Sequence, residues 1–580
     1  MFHSRIIRSI AGIAVLAAAL GIAPSVAHAL KGDCSQPFTN NASGPLATDC
    51  LFILQVATGS RTCATPCICD GDGSGSTVAT DALLCLIETV GTAPLACNCP
   101  DLQDPAFAFV PADCPFASQQ AGVVATNYLG AFPEDTPPAT GNWTAGWTIE
   151  LNGNKTVWEP ASGGTLAGGT PSADGGCPAG TTDIGDTNLP APFAGSMDVC
   201  RLAGRYDTNG QTITLTNDNV YRLGGAAAQG TKVGDGDAAG KTPAAGANPA
   251  VDVTLAVEPG TLILGEESEA LAITRGSNVQ VNGTAVDPVV MGSVAWFNAW
   301  VGGSDGDSGR GEWGGFILTG FGRANQCNNA TTCDFELEGF LTPFFSGGLD
   351  DADDSGTITY LVVRQGGFDI DGNGNELNGI TLFNVGSETT VNHVQIHENV
   401  DDGIEFFGGA VNVDHVVVTD VLDDSIDSDL GYRGAVQFAV VRQSADAADR
   451  GFEMDSHPTP ASDVLISEPC YVNITVLGES EASTEGANIG SGTNASFHNG
   501  IFKANTERCI ALENGTLALR GAGLQIHNYY ADCETEFTGQ APDTAGSVET
   551  WYDTDPNNRR RAVDGSVGVN SIGYPSQTTF

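Results

Sequence analysis

The chain of 580 residues carries 70 acidic against 23 basic side chains, a net charge of −47, with 75 glycines and 7% aromatic residues. Such a surface repels phosphate backbones over most of the molecule, which excludes nucleic acid as a partner and makes cations the expected counter-ligand. A solvated acidic face requires no ligand at all. Calcium is the sharper reading, because hard cations take several carboxylate oxygens.

Arg5 and Arg8 precede an apolar run from Ile10 to Ala23 and then Ala27-His28-Ala29, the layout of a secretory signal peptide over residues 1–29. The run is too short to span a bilayer, so the expected product is a secreted or cell-surface protein with no membrane span, matured under oxidising conditions. Of the 16 cysteines, eight crowd between Cys34 and Cys99. That density reads as a stapled module over residues 30–100 that cannot build a sufficient core alone. The remaining eight are scattered, with Cys327 and Cys333 near enough to close a small loop.

Within the module, Asp70, Asp72, Ser74, Ser76 and Asp81 have the spacing of calcium-loop ligands, with Gly75 at the sharp turn. The following residues, Ala82 to Val90, place apolar side chains at helical spacing. An upstream copy of this helix, Ala47 to Ser60, parallels Ala79 to Thr92, although its preceding loop offers Asn40 and Asn41 where aspartates would be expected. A duplicated loop-helix unit of this kind resembles a dockerin module. The resemblance implies a small α-helical domain folded by calcium and docked onto a cohesin-like protein partner; a calcium-stapled spacer without a partner fits the same residues.

Residues 101–118 lack periodicity and read as a linker. Residues 119–250 are expected to hold an N-terminal cap and the first β elements, the cap over Asn127 to Tyr221 and a loop over the Gly/Ala-rich stretch from Gly224 to Ala250. Val253 to Leu264 and Trp313 to Gly320 look like early coils of a repeat. From Ile358 an apolar signature Φ-x-x-Φ-x-Φ returns, as Ile358/Leu361/Val363, Val391/Val394/Ile396, Val413/Val416/Val418, Val436/Ala439/Val441 and Tyr471/Ile474/Val476, mostly in steps of about 22 to 26 residues. A second column runs in step through Asn378-Gly-Ile, Asp402-Gly-Ile, Asp424-Ser-Ile, Arg450-Gly-Phe and Glu485-Gly-Ala. Two short strands per twenty-odd residues is the period of a parallel β-helix, here over residues 251–560 with a tail over 561–580.

The segments Tyr128 to Phe132, Asn142 to Trp147, Val257 to Thr261, Trp313-Gly-Gly315, Asp401 to Gly409, Tyr432-Arg-Gly434 and Asp449 to Glu453 resemble a group of exported bacterial proteins with a pectin-lyase-like fold. The resemblance implies a mainly β protein, a right-handed single-stranded parallel β-helix, over roughly residues 120–560. It brings no reaction with it.

Equivalent residues of successive coils stack ~4.8 Å apart, which puts Glu405, Asp427 and Glu453 in one column and Asp402, Asp424 and Arg450 in the next. Like charges at that spacing repel unless a cation, a proton or an arginine compensates them. Calcium on Glu405, Asp427 and Glu453, joined by Asp429 or Asp455, would lock the coils or present a sugar to a binding groove. In calcium-dependent lyases of this fold an arginine removes the proton beside a uronate carboxylate, so the catalytic candidates are Glu405, Asp427, Glu453 and Arg450, with Arg433 behind them. Paired carboxylates also suit a glycoside hydrolase, and Asp402, Asp424 and Arg450 an esterase by analogy. His393 and His415 should stack as routine solenoid residues, and His457 lies in sequence nearest the acidic column. Trp296, Trp300 and Trp313 are either core anchors or sugar platforms. The expected function is binding of polysaccharide or another cell-surface component; the rivals are a polysaccharide lyase or hydrolase and a purely structural surface or matrix protein.

Overall fold

A computed structural model describes residues 47–60, a few positions between 79 and 86, and most of 107–564; residues 1–46, 61–78, 87–106, 150–175 and 565–580 and several short internal stretches lie outside the description. The chain falls into two compact units, residues 1–99 with Phe580 and residues 100–579. In the first, the helix Ala47–Ala57 carries Cys50, which is disulfide-bonded to Cys85.

The second unit is a parallel β-helix. One sheet runs through Gly356–Arg364, Thr390–His397, Asn412–Thr419, Ala435–Arg442, Cys470–Leu477, Ser496–Lys503 and Gln525–Asp532, each strand parallel to the next. The other runs through Ile380–Phe383, Ile404–Phe407, Ile426–Asp429, Arg450–Met454, Glu485–Ile489 and Arg508–Leu512. The chain alternates between them, so each coil contributes one strand to each wall. The apolar signature becomes the core: Ile358, Val391, Val413, Val436, Tyr471 and Phe497 pair in register, as do Val363, Ile396, Val418, Val441, Val476 and Phe502, all buried in one cluster.

The signature departs from strict alternation because one residue per strand is left-handed. Tyr360, His393, His415, Phe438, Asn473, Asn499 and Asn528 all have φ between 48° and 61°. A left-handed residue between two inward positions turns the strand and resets the two-residue period, which yields Φ-x-x-Φ-x-Φ. Asparagine tolerates this conformation best; the aromatic rings stack instead, His393 on His415 at 4.2 Å and Tyr360 on His393 at 4.3 Å.

Three expectations are corrected. Residues 107–118 are no free linker: Phe107 and Phe109 are buried, and Cys114 is disulfide-bonded to Cys470. They begin a strap, described over 107–133 and 143–149, that lies along the outer face of the first sheet rather than capping an end. Its backbone is held by side chains of successive coils: Gln395 with Ile149 (2.7 and 2.9 Å), Gln437 with Val124 (2.7 and 2.9 Å), and Asn473 and Asn499 donating to Tyr128 and Phe107 carbonyls at 2.9 and 3.0 Å. The Gly/Ala-rich stretch contains a buried strand, Gly230–Val233, in the second sheet. A side chain at Gly230 would meet the Ala270 carbonyl oxygen at 2.0 Å, so small residues mark close coil packing here, not a loop. Only the later part of the expected cap closes an end, with Thr181–Leu189 antiparallel to Gly195–Leu202; the other end is closed by the helix Ala545–Tyr552, whose Val548 and Trp551 enter the core.

Asn473 serves both the left-handed corner and the strap. Asn473→Ala places alanine in the left-handed region and removes the bonds to Tyr128 and Gly130, so we expect a loss of ~2–4 kcal/mol by denaturant unfolding.

Candidate functional site

On the second sheet the inward positions Ile380, Ile404, Ile426 and Phe452 alternate with an outward column, Thr381, Glu405, Asp427, Glu453, Asn488 and Ala511. Register and sheet pleat therefore bring Glu405, Asp427 and Glu453 onto one face, as their spacing implies. The preceding turns supply a second acidic set, because Gly379 N donates to the Asp402 carbonyl, Gly403 N to that of Asp424 and Ser425 N to that of Arg450. Asp402 and Asp424 thus stand on successive coils beside the column.

Asp402, Glu405 and Asp427 each offer an oxygen within 4.8 Å of the others, and they are only 7%, 8% and 8% exposed. Among the described residues no lysine, arginine or histidine pairs with any of the three. Asn378 donates to Glu405, Asp424 N to Asp402 Oδ1 at 3.0 Å, and Ser428 N to Asp427 Oδ1 at 2.6 Å. Asn378 is itself 4% exposed, and its Oδ1 is buried without a partner. Burial first, and then the neighbouring carboxylates, raises the pKa of Asp402, Glu405 and Asp427 well above the usual range. Without a cation, burial and mutual repulsion both disfavour the ionised forms of these groups. A divalent cation would let them ionise, and an all-oxygen donor set with an orphaned amide oxygen beside it fits calcium.

Glu453 is held differently. Arg450 lies 3.0 Å from Glu453, 3.2 Å from Asp424 and 3.3 Å from Asp449, with Glu485 at 3.9 Å. Burial opposes the charge on Arg450, but these four carboxylates outweigh it and keep the guanidinium more firmly protonated than usual. A general base must be unprotonated before it can accept a proton, so this environment runs against a proton-abstracting Arg450. Arg433 is bound to Asp351 at 2.7 Å and stacks on Phe116. Around the buried trio lies an accessible acidic rim. Asp401, Asp402 and Asp423 form one close group and Asp423, Asp424 and Asp449 another. Burial, helped by Asp423, Glu376 and Glu338, lifts Asp401 to about 7.

The other candidates fall elsewhere. Trp296, Trp300 and Trp313 are buried in the core, not sugar platforms. His393 and His415 stack, flanked by Trp143 of the strap. His457 accepts from Thr459 N at 2.9 Å. Asp429 is raised to about 7 by burial, and burial raises Asp455 as well. Asp70, Asp72, Ser74, Ser76 and Asp81 lie outside the described residues. Asp402, Asp401 and Asp423 join the site although the sequence reading centred it on Glu405, Asp427 and Glu453. The doubled aspartates Asp401-Asp402 and Asp423-Asp424, one coil apart, were the available signal.

A family model described as a pectate-lyase-like beta helix domain matches residues 248–565. The chain belongs to this family. No curated protein and no solved structure matches it. The pectate-lyase-like beta-helix domain fits a polysaccharide-related role, and among the described residues no helix is long and apolar enough to cross a membrane.

Removing Arg450 leaves Asp424, 2% exposed as a side chain, without its counter-ion, whereas Glu485 keeps Arg508. Arg450→Ala is expected to cost ~2–3 kcal/mol at pH 7.5, somewhat below a fully buried pair because the arginine is partly exposed. The Asp424 carboxyl has a raised folded-state pKa and needs no partner once protonated, so the deficit should shrink as the pH falls toward 5 in chemical denaturation.

Proposed function

We propose that this is an exported, calcium-stabilised β-helix protein that binds polysaccharide or another extracellular component along the acidic rim of the second sheet. The observation that carries the reading is the buried trio Asp402, Glu405 and Asp427, which has no basic partner among the described residues and adjoins an accessible rim at Asp401, Asp423 and Asp449. Calcium would supply charge neutralisation between coils. Asp402, Glu405 and Asp427 would hold it, and Asn378 would orient Glu405. The rim carboxylates would recruit further cations and, through them, an anionic glycan.

Binding is favoured over cleavage by Arg450, whose carboxylate partners keep it protonated. Burial of the trio favours an ion that locks coils together over one that enters a reaction. The calcium-loop spacing of Asp70 to Asp81 supports a second calcium-dependent element in the amino-terminal module, docking to a cohesin-like partner.

Millimolar calcium should raise the melting temperature of the mature protein by roughly 2–3 °C over its value in EDTA, the scale of ~2.7 kcal/mol at a hundredfold excess over Kd for a chain of this length. Asp427→Asn should abolish most of that increment while melting no lower in EDTA, because it removes a like charge from the trio. An unchanged increment in Asp427→Asn would remove the trio as the calcium site. In the same calcium buffer a glycan array should report retention of acidic polysaccharides that EDTA reverses, and incubation with polyuronates should generate no unsaturated ends. Unsaturated ends would establish the lyase instead.

A further inference from the structure

The last coils carry a donor set of a different kind. His498 and His527 pair in register on adjacent strands, and their rings stack with centroids 5.3 Å apart. His498 is 4% exposed and its Nε2 is buried with no hydrogen-bond partner. His527 Nδ1 lies 2.7 Å from Asp555 Oδ2, which assigns the proton to Nδ1 and leaves Nε2 with its lone pair available. Both rings border a polar cavity of about 320 Å³ whose walls include Asp113, Gln525, Asn528 and Asp555.

Asp113 belongs to the strap, next to Cys114 and its disulfide to Cys470, and Phe109 of the same strap packs on His498 with ring centroids 5.2 Å apart. Two chain segments far apart in sequence therefore converge on one polar space. Imidazole nitrogen suits zinc and its neighbours, whereas calcium prefers oxygen throughout. An imidazole whose other nitrogen is bonded to a carboxylate is the usual arrangement of a metal-ligating histidine.

We propose that His498 and His527 bind a zinc ion in this cavity, with Asp113 as the carboxylate donor from the strap and Asp555 orienting His527. Two nitrogens on a tetrahedral zinc lie roughly 3.3 Å apart, given Zn–N bonds of ~2.0–2.1 Å, so the stacked rings must swing together on binding. The ion would join the strap to the final coils, independently of any cation in the acidic column.

The test is zinc titration by calorimetry on the full mature protein presaturated with calcium, so that the carboxylate groups are already occupied. We expect one tight zinc per chain, at least ~10-fold weakening in His498→Gln and in His527→Gln, and ~10-fold weakening in Asp555→Asn. Cobalt in place of zinc should give the visible bands of a four-coordinate site, lost in either histidine variant. His527 is 43% exposed as a side chain, so His527→Gln should fold even where a substitution at the buried His498 does not. Undiminished zinc affinity in His527→Gln, absence of the cobalt bands, or loss of binding in His393→Gln instead would each overturn the assignment.

Discussion

In a parallel β-helix every residue stands ~4.8 Å from its equivalent in the coils above and below, so a position in the repeat is shared by a whole column of side chains. Apolar columns gain from this, because each side chain is buried by its own kind, as in the run from Ile358 through Val391, Val413 and Val436. Asparagine columns gain too, since Asn499 and Asn528 bond to each other at 2.9 Å while filling left-handed corners. A column of carboxylates gains nothing from stacking. Its presence has to be explained by what compensates it.

The outer walls are unevenly covered. The strap and the helix Val294–Val301, with Trp296 and Trp300 buried, pack against the first sheet. On the early part of the second sheet, Leu337 and Phe344 of a small hairpin join Ile370, Leu377 and Phe383 in a separate apolar cluster. The acidic column begins where that cover stops, one coil beyond Phe383, and its rim at Asp423 and Asp449 remains accessible. The accessible acidic rim and the buried trio are consequently parts of one surface.

How much of this could be read from the sequence depends on whether the information was periodic. The inward columns, the coil register that pairs Glu405 with Asp427, and the stack of His393 on His415 followed from spacing alone. The capture of Glu453 by Arg450 did not, because both residues lie in one strand and their contact depends on side-chain direction near Gly451. Nor did the turn of Asp402 into the trio, since turn residues obey no two-residue rule. The strap was illegible for another reason. Gln119 donates to the carbonyl of Gly434 across 315 residues, and nothing in a short window around either end records that pairing. The buried strand at Gly230 was hidden by composition, because glycines needed for close backbone approach resemble those of a loop.

The outward column itself indicates that the carboxylates are not structural necessities. Thr381 precedes Glu405 in register, and Asn488 and Ala511 follow Glu453, so neutral side chains occupy the same backbone environment on both sides. The acids are confined to the coils whose turns carry Asp402, Asp424 and Asp449. Within that stretch two forms of compensation lie side by side. Arg450 and Arg508 answer Asp424, Glu453 and Glu485 with fixed positive charge. Among the described residues Asp402, Glu405 and Asp427 have no such partner, although the same arginine solution was available one coil away. Protons would neutralise them at the cost of an abnormal protonation state, whereas a divalent ion satisfies the charges and bonds to the oxygens as well. An arginine is permanent and an ion exchanges, so an ion held there as proposed would answer to the cation concentration around the protein, which a fixed arginine does not.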